Sequence, residues 1–195
     1  MPAPCVVNMA TVGSKQLMRV GATLKLLLGL LLAGSSYAQD AQPSEYQVKA
    51  AFIFNFAKFV EWPAGAFADA KSPLCIGVLG ENPFGANLER TVQDKMLNNR
   101  AIVIKECKTL EDARKCHLLF ISASEKKPLQ EILEGLAGAH ILTVGEAENF
   151  LKGGGMINFF REGNRFRFEI NDGAAKKAGL KIDSKLLGLG KKPAA

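Results

Sequence analysis

The sequence predicts an α/β fold: a mainly parallel sheet flanked by helices, with a β-hairpin near the C-terminus. Three observations carry this. Short, continuously apolar runs recur at Cys75–Leu79, Ala101–Ile104, His117–Ile121 and Ile141–Val144. A strand apolar on both faces belongs to a sheet covered on both sides, as parallel sheets are. A helical or polar stretch follows each run, and Arg165–Ile170 then alternates strictly between polar and apolar residues, the signature of a half-exposed strand.

Residues 1–38 contain no Asp or Glu, but they do contain Lys15, Arg19 and Lys25. An apolar run from Leu26 to Ala33 precedes Gly34-Ser35-Ser36-Tyr37-Ala38, with small residues where a signal peptidase needs them. The run falls short of the roughly 20 residues that span a bilayer. Residues 1–38 therefore read as a cleavable secretory signal, with a tighter version starting at Met18. Residues 39–43 read as a linker, 44–190 as one domain and 191–195 as a flexible tail. Loss of three cations and no anions lowers the net charge from +6 to +3. So small a charge excludes the clustered basic face of a nucleic-acid binder.

Ser44 with Gln47 forms a capping box, a helix start in which each side chain satisfies an orphan backbone donor. Val48, Phe52, Phe56 and Phe59 follow at helical spacing until Trp62-Pro63 stops the helix. After the first apolar run, a helix is expected from Pro83 to about Lys95. Leu110 to Arg114 reads as a short turn or helix, Pro128 to Leu136 as a helix and Glu146 to Leu151 as a short helix. Met156–Phe160 and Arg165–Ile170, joined by Glu162-Gly163-Asn164, form the hairpin. Ala174 to Ala178 is a short helix ended by Gly179, and Lys181 to Leu189 a closing turn or helix.

Catalytic constellations are absent from this pattern, and no cofactor or metal is expected. His117 and His140 each begin a strand, at the edge opposite the carboxyl-end crevice where open α/β sheets bind ligands. Neither has a metal-ligand neighbour at useful spacing. Ser122 lacks a Gly-x-Ser-x-Gly elbow, and Gly80 and Gly85 are too far apart for a dinucleotide fingerprint. A ligand crevice, if used, lies at the strand ends near Gly80, Ser122 and Gly145.

Cys5 leaves with the signal, so Cys75, Cys107 and Cys116 remain in an oxidising compartment. Cys75 and Cys116 stand at strand beginnings, which share one edge of a parallel sheet. Cys107 follows its strand and is expected about 15 Å or more away at about 3.3 Å per residue, too far for a bridge. If the first and third runs are neighbours, Cys75–Cys116 is the bridge, contributing about 3–4 kcal/mol by loop closure, and Cys107 is the free thiol. The competing bridge, Cys107–Cys116, requires the short loop through Leu110–Arg114 to double back. On the hairpin, Arg165, Arg167 and Glu169 line one strand face, where Arg forks suit an acidic partner.

Together these residues resemble the YfiR family. The resemblance rests on the opening Val48-Lys49-Ala50-Ala51-Phe52-Ile53-Phe54-Asn55-Phe56-Ala57-Lys58-Phe59-Val60-Glu61-Trp62-Pro63 and on Val78-Leu79-Gly80 with Asn82-Pro83-Phe84-Gly85. Cys116-His117-Leu118-Leu119-Phe120-Ile121-Ser122 and Gly155-Met156-Ile157-Asn158-Phe159 continue it. Phe168-Glu169-Ile170-Asn171, Ala178-Gly179-Leu180 and Leu186-Leu187 close it. The resemblance implies a periplasmic, dimeric, Rossmann-like, non-catalytic protein. Such a protein docks on the periplasmic sensor region of an inner-membrane diguanylate cyclase and lowers cyclic-di-GMP. It also implies a redox-linked Cys75–Cys116 bridge and places Glu169 and Ile170 near the cyclase-binding surface. Some members carry a second disulfide around the stretch matching Gly145–Ile157, where this chain has no cysteine. The other functional class open to this sequence is a periplasmic small-molecule sensor using the carboxyl-end crevice.

Overall fold

The structure, a computed structural model, describes residues 43–192. The expected signal segment with Cys5 and Met18, most of the linker and the end of the tail lie outside the described residues.

Helix α1 (Glu45–Lys58) starts at the expected capping box: the Gln47 N–H donates to Ser44 Oγ and the Ser44 N–H to Gln47 Oε1. Glu45 in its first turn and Lys58 in its last complement the helix dipole. The helix ends before the expected Trp62-Pro63 stop. Val60 and Glu61 instead form strand β1 (Val60–Glu61), paired antiparallel with β9 (Lys181–Ile182). The partner that recruits Val60 is distant in sequence, so local periodicity could not reveal it.

A seven-stranded sheet follows. Its parallel strands are β2 (Leu74–Leu79), β4 (Arg100–Cys107), β5 (Leu118–Ile121), β6 (Leu142–Gly145) and β7 (Ile157–Glu162), in the order β4-β2-β5-β6-β7. Two antiparallel strands flank them, β3 (Met96–Leu97) beside β4 and β8 (Arg165–Ile170) beside β7. The chain steps from β2 to one side and then returns to the other, a doubly wound order whose switch point lies between β2 and β5. The mixed α/β fold with its C-terminal hairpin is as expected.

Every residue of β2 is buried, because each face has its own core. Leu74, Ile76 and Val78 face the side covered by α1 and α2 (Asn87–Val92), where Ile53, Phe56, Phe84 and Leu88 are buried. That cluster continues to Ala175 and Leu186, on α5 (Asp172–Lys177) and α6 (Ser184–Leu189). Cys75 and Leu79 face α3 (Leu110–Ala113) and α4 (Leu129–Gly135), joining Ala113, Leu119, Ile132 and Phe150.

Three segments differ from expectation. The helix expected from Pro83 to Lys95 shrinks to α2: Gly85 and Asp94 take positive φ, and Asn98-Asn99, also at positive φ, turn the chain from β3 back into β4. Glu146–Leu151 is a turn, not a helix, with Asn149 at φ 62°. It is held around the Phe150 ring, which sits where Cβ atoms on Gly145 and Gly155 would be, at 2.4 and 2.2 Å. Lys181–Leu189 divides into β9 and α6.

Candidate functional site

All three described cysteines converge on one spot. Cys75 lies on β2, Cys107 ends β4, and Cys116 sits in the turn between α3 and β5. Cys116 Sγ is 3.2 Å from Cys75 Sγ and 3.7 Å from Cys107 Sγ. All are buried free thiols. The Cys75–Cys116 proximity agrees with the edge argument. The argument that set Cys107 apart does not hold: the loop through α3 doubles back over the sheet and brings Cys116 between the two strands. Gly77 makes room for it. A Cβ there would meet Cys116 Sγ at 2.7 Å and Cys107 Sγ at 3.0 Å. No sequence argument singled out Gly77; the signal was a glycine inside an otherwise apolar strand, which marks a close approach.

Hydrogen bonding with Cys116 pulls the Cys75 thiol below its ordinary pKa despite burial, and pulls Cys107 down in the same way. Cys116, hydrogen-bonded first to Cys107 and then to Cys75, is pushed up, with burial adding to the effect. The central sulfur is thus shifted in the opposite direction from the outer two.

The histidines are structural. The Cys75 N–H donates to His117 Nδ1 at 3.0 Å, so His117 Nε2 carries the proton donated to the Ala66 carbonyl at 3.1 Å. The ring stacks on Phe67 with centroids 4.2 Å apart, and the Arg100 guanidinium lies 3.8 Å from the other ring. His140 Nδ1–H donates to the Ala178 carbonyl at 2.7 Å. Each histidine thus ties a strand start to a distant loop. Between these loops and the strand starts lies a cleft of about 580 Å³, lined by Cys75, Arg114, Lys115, Cys116, His117 and His140 among others.

At the carboxyl ends of the strands, the expected crevice residues are packed. Gly80, at φ 89°, backs onto Ser124 Oγ and Ser122, and Ser124 Oγ accepts the Glu81 N–H at 2.8 Å. Ser122 is buried and hydrogen-bonds Ser124, while Gly145 is filled by Phe150. The open space lies just beyond, a cleft of about 350 Å³ beside Tyr46, Lys49, Glu146, Phe159 and Phe166. Lys49 is buried there, ion-paired with Glu45 and Glu146, and its ammonium lies 4.7 Å from the Tyr46 ring centre and 5.3 Å from that of Phe166. Tyr46 donates its hydroxyl to Glu146 at 3.1 Å. Burial alone lowers the Lys49 pKa, but hydrogen bonds to Glu146 and Glu45 outweigh it and the net shift is upward. Sequence reading missed this group, although a Lys four residues after Glu45 on an apolar helix face was its signal.

On the hairpin, Arg165 and Arg167 are exposed and Glu169 is half-buried, accepting from Asn158 Nδ2 at 3.3 Å. Arg167 pairs with Glu162 at 3.4 Å, and Lys191 pairs with the same carboxylate. The hydrogen bond from Lys191, followed by its charge, lowers the Glu162 pKa. Ile170 requires a correction. It is 5 % exposed and belongs to the core, because the period-two pattern puts it on the inner face with Phe168. The backbone of Lys191 runs beside it: Ile170 N–H donates to Lys191 O, and Lys191 N–H to Phe168 O, each at 3.0 Å. Among the described residues, no helix is long and apolar enough to cross a membrane.

No curated protein matches this chain. Among solved structures it is similar to the crystal structure of a conserved domain protein from Vibrio cholerae, at 13% identity and a TM-score of 0.50. The match covers 76% of this chain and 60% of that one, and it is a likeness of fold alone. The sequence profile described as YfiR/HmsC-like matches residues 46–191, from the second residue of α1 to the segment paired with β8. By this match over most of its length, the chain belongs to the YfiR/HmsC-like family, a family of periplasmic regulators of diguanylate cyclase signalling.

Proposed function

We propose that the protein, secreted by cleavage of residues 1–38, acts without catalysis as a homodimer. It binds and represses the periplasmic sensor region of an inner-membrane diguanylate cyclase. The reading is supported above all by the outer face of β8. Its Arg165 and Arg167 side chains are exposed on an edge strand. Beneath them, Phe168 and Ile170 are fixed in the core. A rigid strand carrying guanidinium groups suits a partner rich in carboxylates, because the forked donors are already oriented. A Cys75–Cys116 bridge would hold the opposite part of the sheet in one conformation.

The test is cellular cyclic-di-GMP after deletion of the gene and after its restoration. A rise on deletion, reversed by the secreted protein but not by Arg167→Glu, is the expected result; unchanged cyclic-di-GMP on deletion overturns the reading. The cleft beside Lys49 favours a second reading, a small-molecule sensor. It calls for thermal stabilisation of the isolated protein by a metabolite, lost on substitution of Glu146.

A further inference from the structure

Cys116 touches two sulfurs, Cys75 Sγ at 3.2 Å and Cys107 Sγ at 3.7 Å, and the two differ in what lies beside them. Cys75 and Cys116 line the cleft of about 580 Å³ at the strand starts, whose rim carries Arg114 and Lys115, whereas Cys107 is not part of that lining. Cys107 is 3 % exposed and reaches Cys116 through the space left by Gly77. We propose that the three thiols form an inward disulfide relay with Cys116 as its pivot, loaded at the cleft by an anionic low-molecular-weight disulfide. The relay rests on the redox bridge named above and extends it to a third cysteine.

The chemistry closes without any further reagent. Cys75 thiolate attacks one sulfur of the small disulfide, forming a mixed disulfide and expelling one small thiolate. Cys116 then attacks the Cys75 sulfur, forming Cys75–Cys116 and expelling the second. Two protein thiols are oxidised, one disulfide is reduced to two thiols, and the two cysteine protons end on them. In the third step Cys107 thiolate attacks Cys116 Sγ. The Cys107–Cys116 bond forms as the Cys75–Cys116 bond breaks, and Cys75 leaves as a thiolate that takes up a proton. This last step is thiol–disulfide exchange with no net oxidation. It needs an attacking sulfur already beside the central one, which the 3.7 Å contact supplies. The cationic rim selects for carboxylate-bearing disulfides. The outcome is a bridge buried between β4 and the start of β5, with Cys75 free again at the cleft.

Glutathione disulfide is the probe, added to the purified full-length secreted protein, followed by acid quenching, alkylation and tryptic mapping. Trypsin separates the three cysteines, since Lys105, Lys108 and Lys115 lie between Cys107, Cys116 and their neighbours. Both linked peptides, Cys75–Cys116 and Cys107–Cys116, are expected in the wild type, the second growing as the first declines. In Cys107→Ser the second is lost and the first persists. In Cys116→Ser no bridge forms, because Cys75 and Cys107 have lost their common contact. A wild type that gives only Cys75–Cys116, with Cys107 fully alkylated at every time point, overturns the relay. So does a Cys75–Cys107 bridge in Cys116→Ser. The readout is a linked peptide, so a failure of cyclase repression in cells leaves it unaffected, and the converse also holds.

Discussion

The backbone N–H of Cys75 donates to the imidazole of His117, 3.0 Å away. This fixes a neutral ring whose other nitrogen donates to Ala66. Burial pushes the His117 pKa below its ordinary 6.5, aided by the Arg100 charge and only partly offset by the Ala66 hydrogen bond. A histidine with a depressed native pKa binds fewer protons folded than unfolded. Its contribution is therefore complete above about pH 6.5 and is lost as pH falls through the window down to the native value. Urea midpoints measured from pH 8 to 5.5 should show stability falling by up to about 1.4 kcal/mol per pH unit in that window. In His117→Asn this part of the slope should vanish. An equal slope in the variant would mean that another group titrates.

Gly77 is the second expectation. Alanine there sets a Cβ 2.7 Å from Cys116 Sγ, and a cysteine side chain is too short to swing clear. Overpacking of this kind costs about 1–3 kcal/mol. Gly77→Ala should lower the urea midpoint and speed the reaction of Cys116 with an aromatic disulfide reagent. An unchanged midpoint with unchanged thiol reactivity would show that the cluster does not depend on this space.

What the sequence revealed and what it hid divide along physical lines. Four of the five parallel strands were legible as apolar runs. In β2, β5 and β6 burial on both faces leaves a purely local mark, whereas β4 is apolar in sequence although Ala101 and Val103 are exposed. Arg165–Ile170 likewise declared its two faces, although assigning Ile170 to the binding surface ignored its own period-two pattern. The thiol cluster was half legible: Cys75 and Cys116 follow from strand starts. Cys107 joins them only because α3 folds the chain back, and no local pattern records that path. β1 was hidden for a similar reason, its partner Ile182 being far away in sequence. Lys49 was read as one residue of a helical motif, since its partner Glu146 lies 97 residues away in sequence.

Lys49 gives the third prediction. Removing one member of a buried ion group leaves the others uncompensated, typically at a cost of about 3–5 kcal/mol. Glu146 has only 14% of its side chain exposed, so Lys49→Ala should fall in that range by urea denaturation. In Lys49→Ala/Glu146→Gln part of the loss should return, since the stranded charge is gone. The raised Lys49 pKa has its own signature: its contribution is present below about pH 10.4 and is lost as pH rises through the native value. A double variant no more stable than Lys49→Ala would place the cost in lost packing instead.

The last prediction separates binding from folding on the hairpin. Arg167 is exposed and paired with Glu162 through a contact of 3.4 Å at the surface, a kind of pair worth about 0–1 kcal/mol. Arg167→Glu should therefore leave the urea midpoint within about 0.5 kcal/mol of wild type while weakening capture of the cyclase sensor region. Ile170 sits against the backbone of Gly190, where a glycine Cβ would lie 2.8 Å from it, and it is buried with Phe168. Ile170→Ala should cost about 2–5 kcal/mol, so any loss of repression in that variant should follow the loss of folded protein. Restoring its abundance, for example by lower growth temperature, should restore repression in Ile170→Ala but not in Arg167→Glu. If Ile170→Ala is fully folded and still fails to repress, Ile170 acts in binding after all; the inner face of β8 would then have to open when the partner docks.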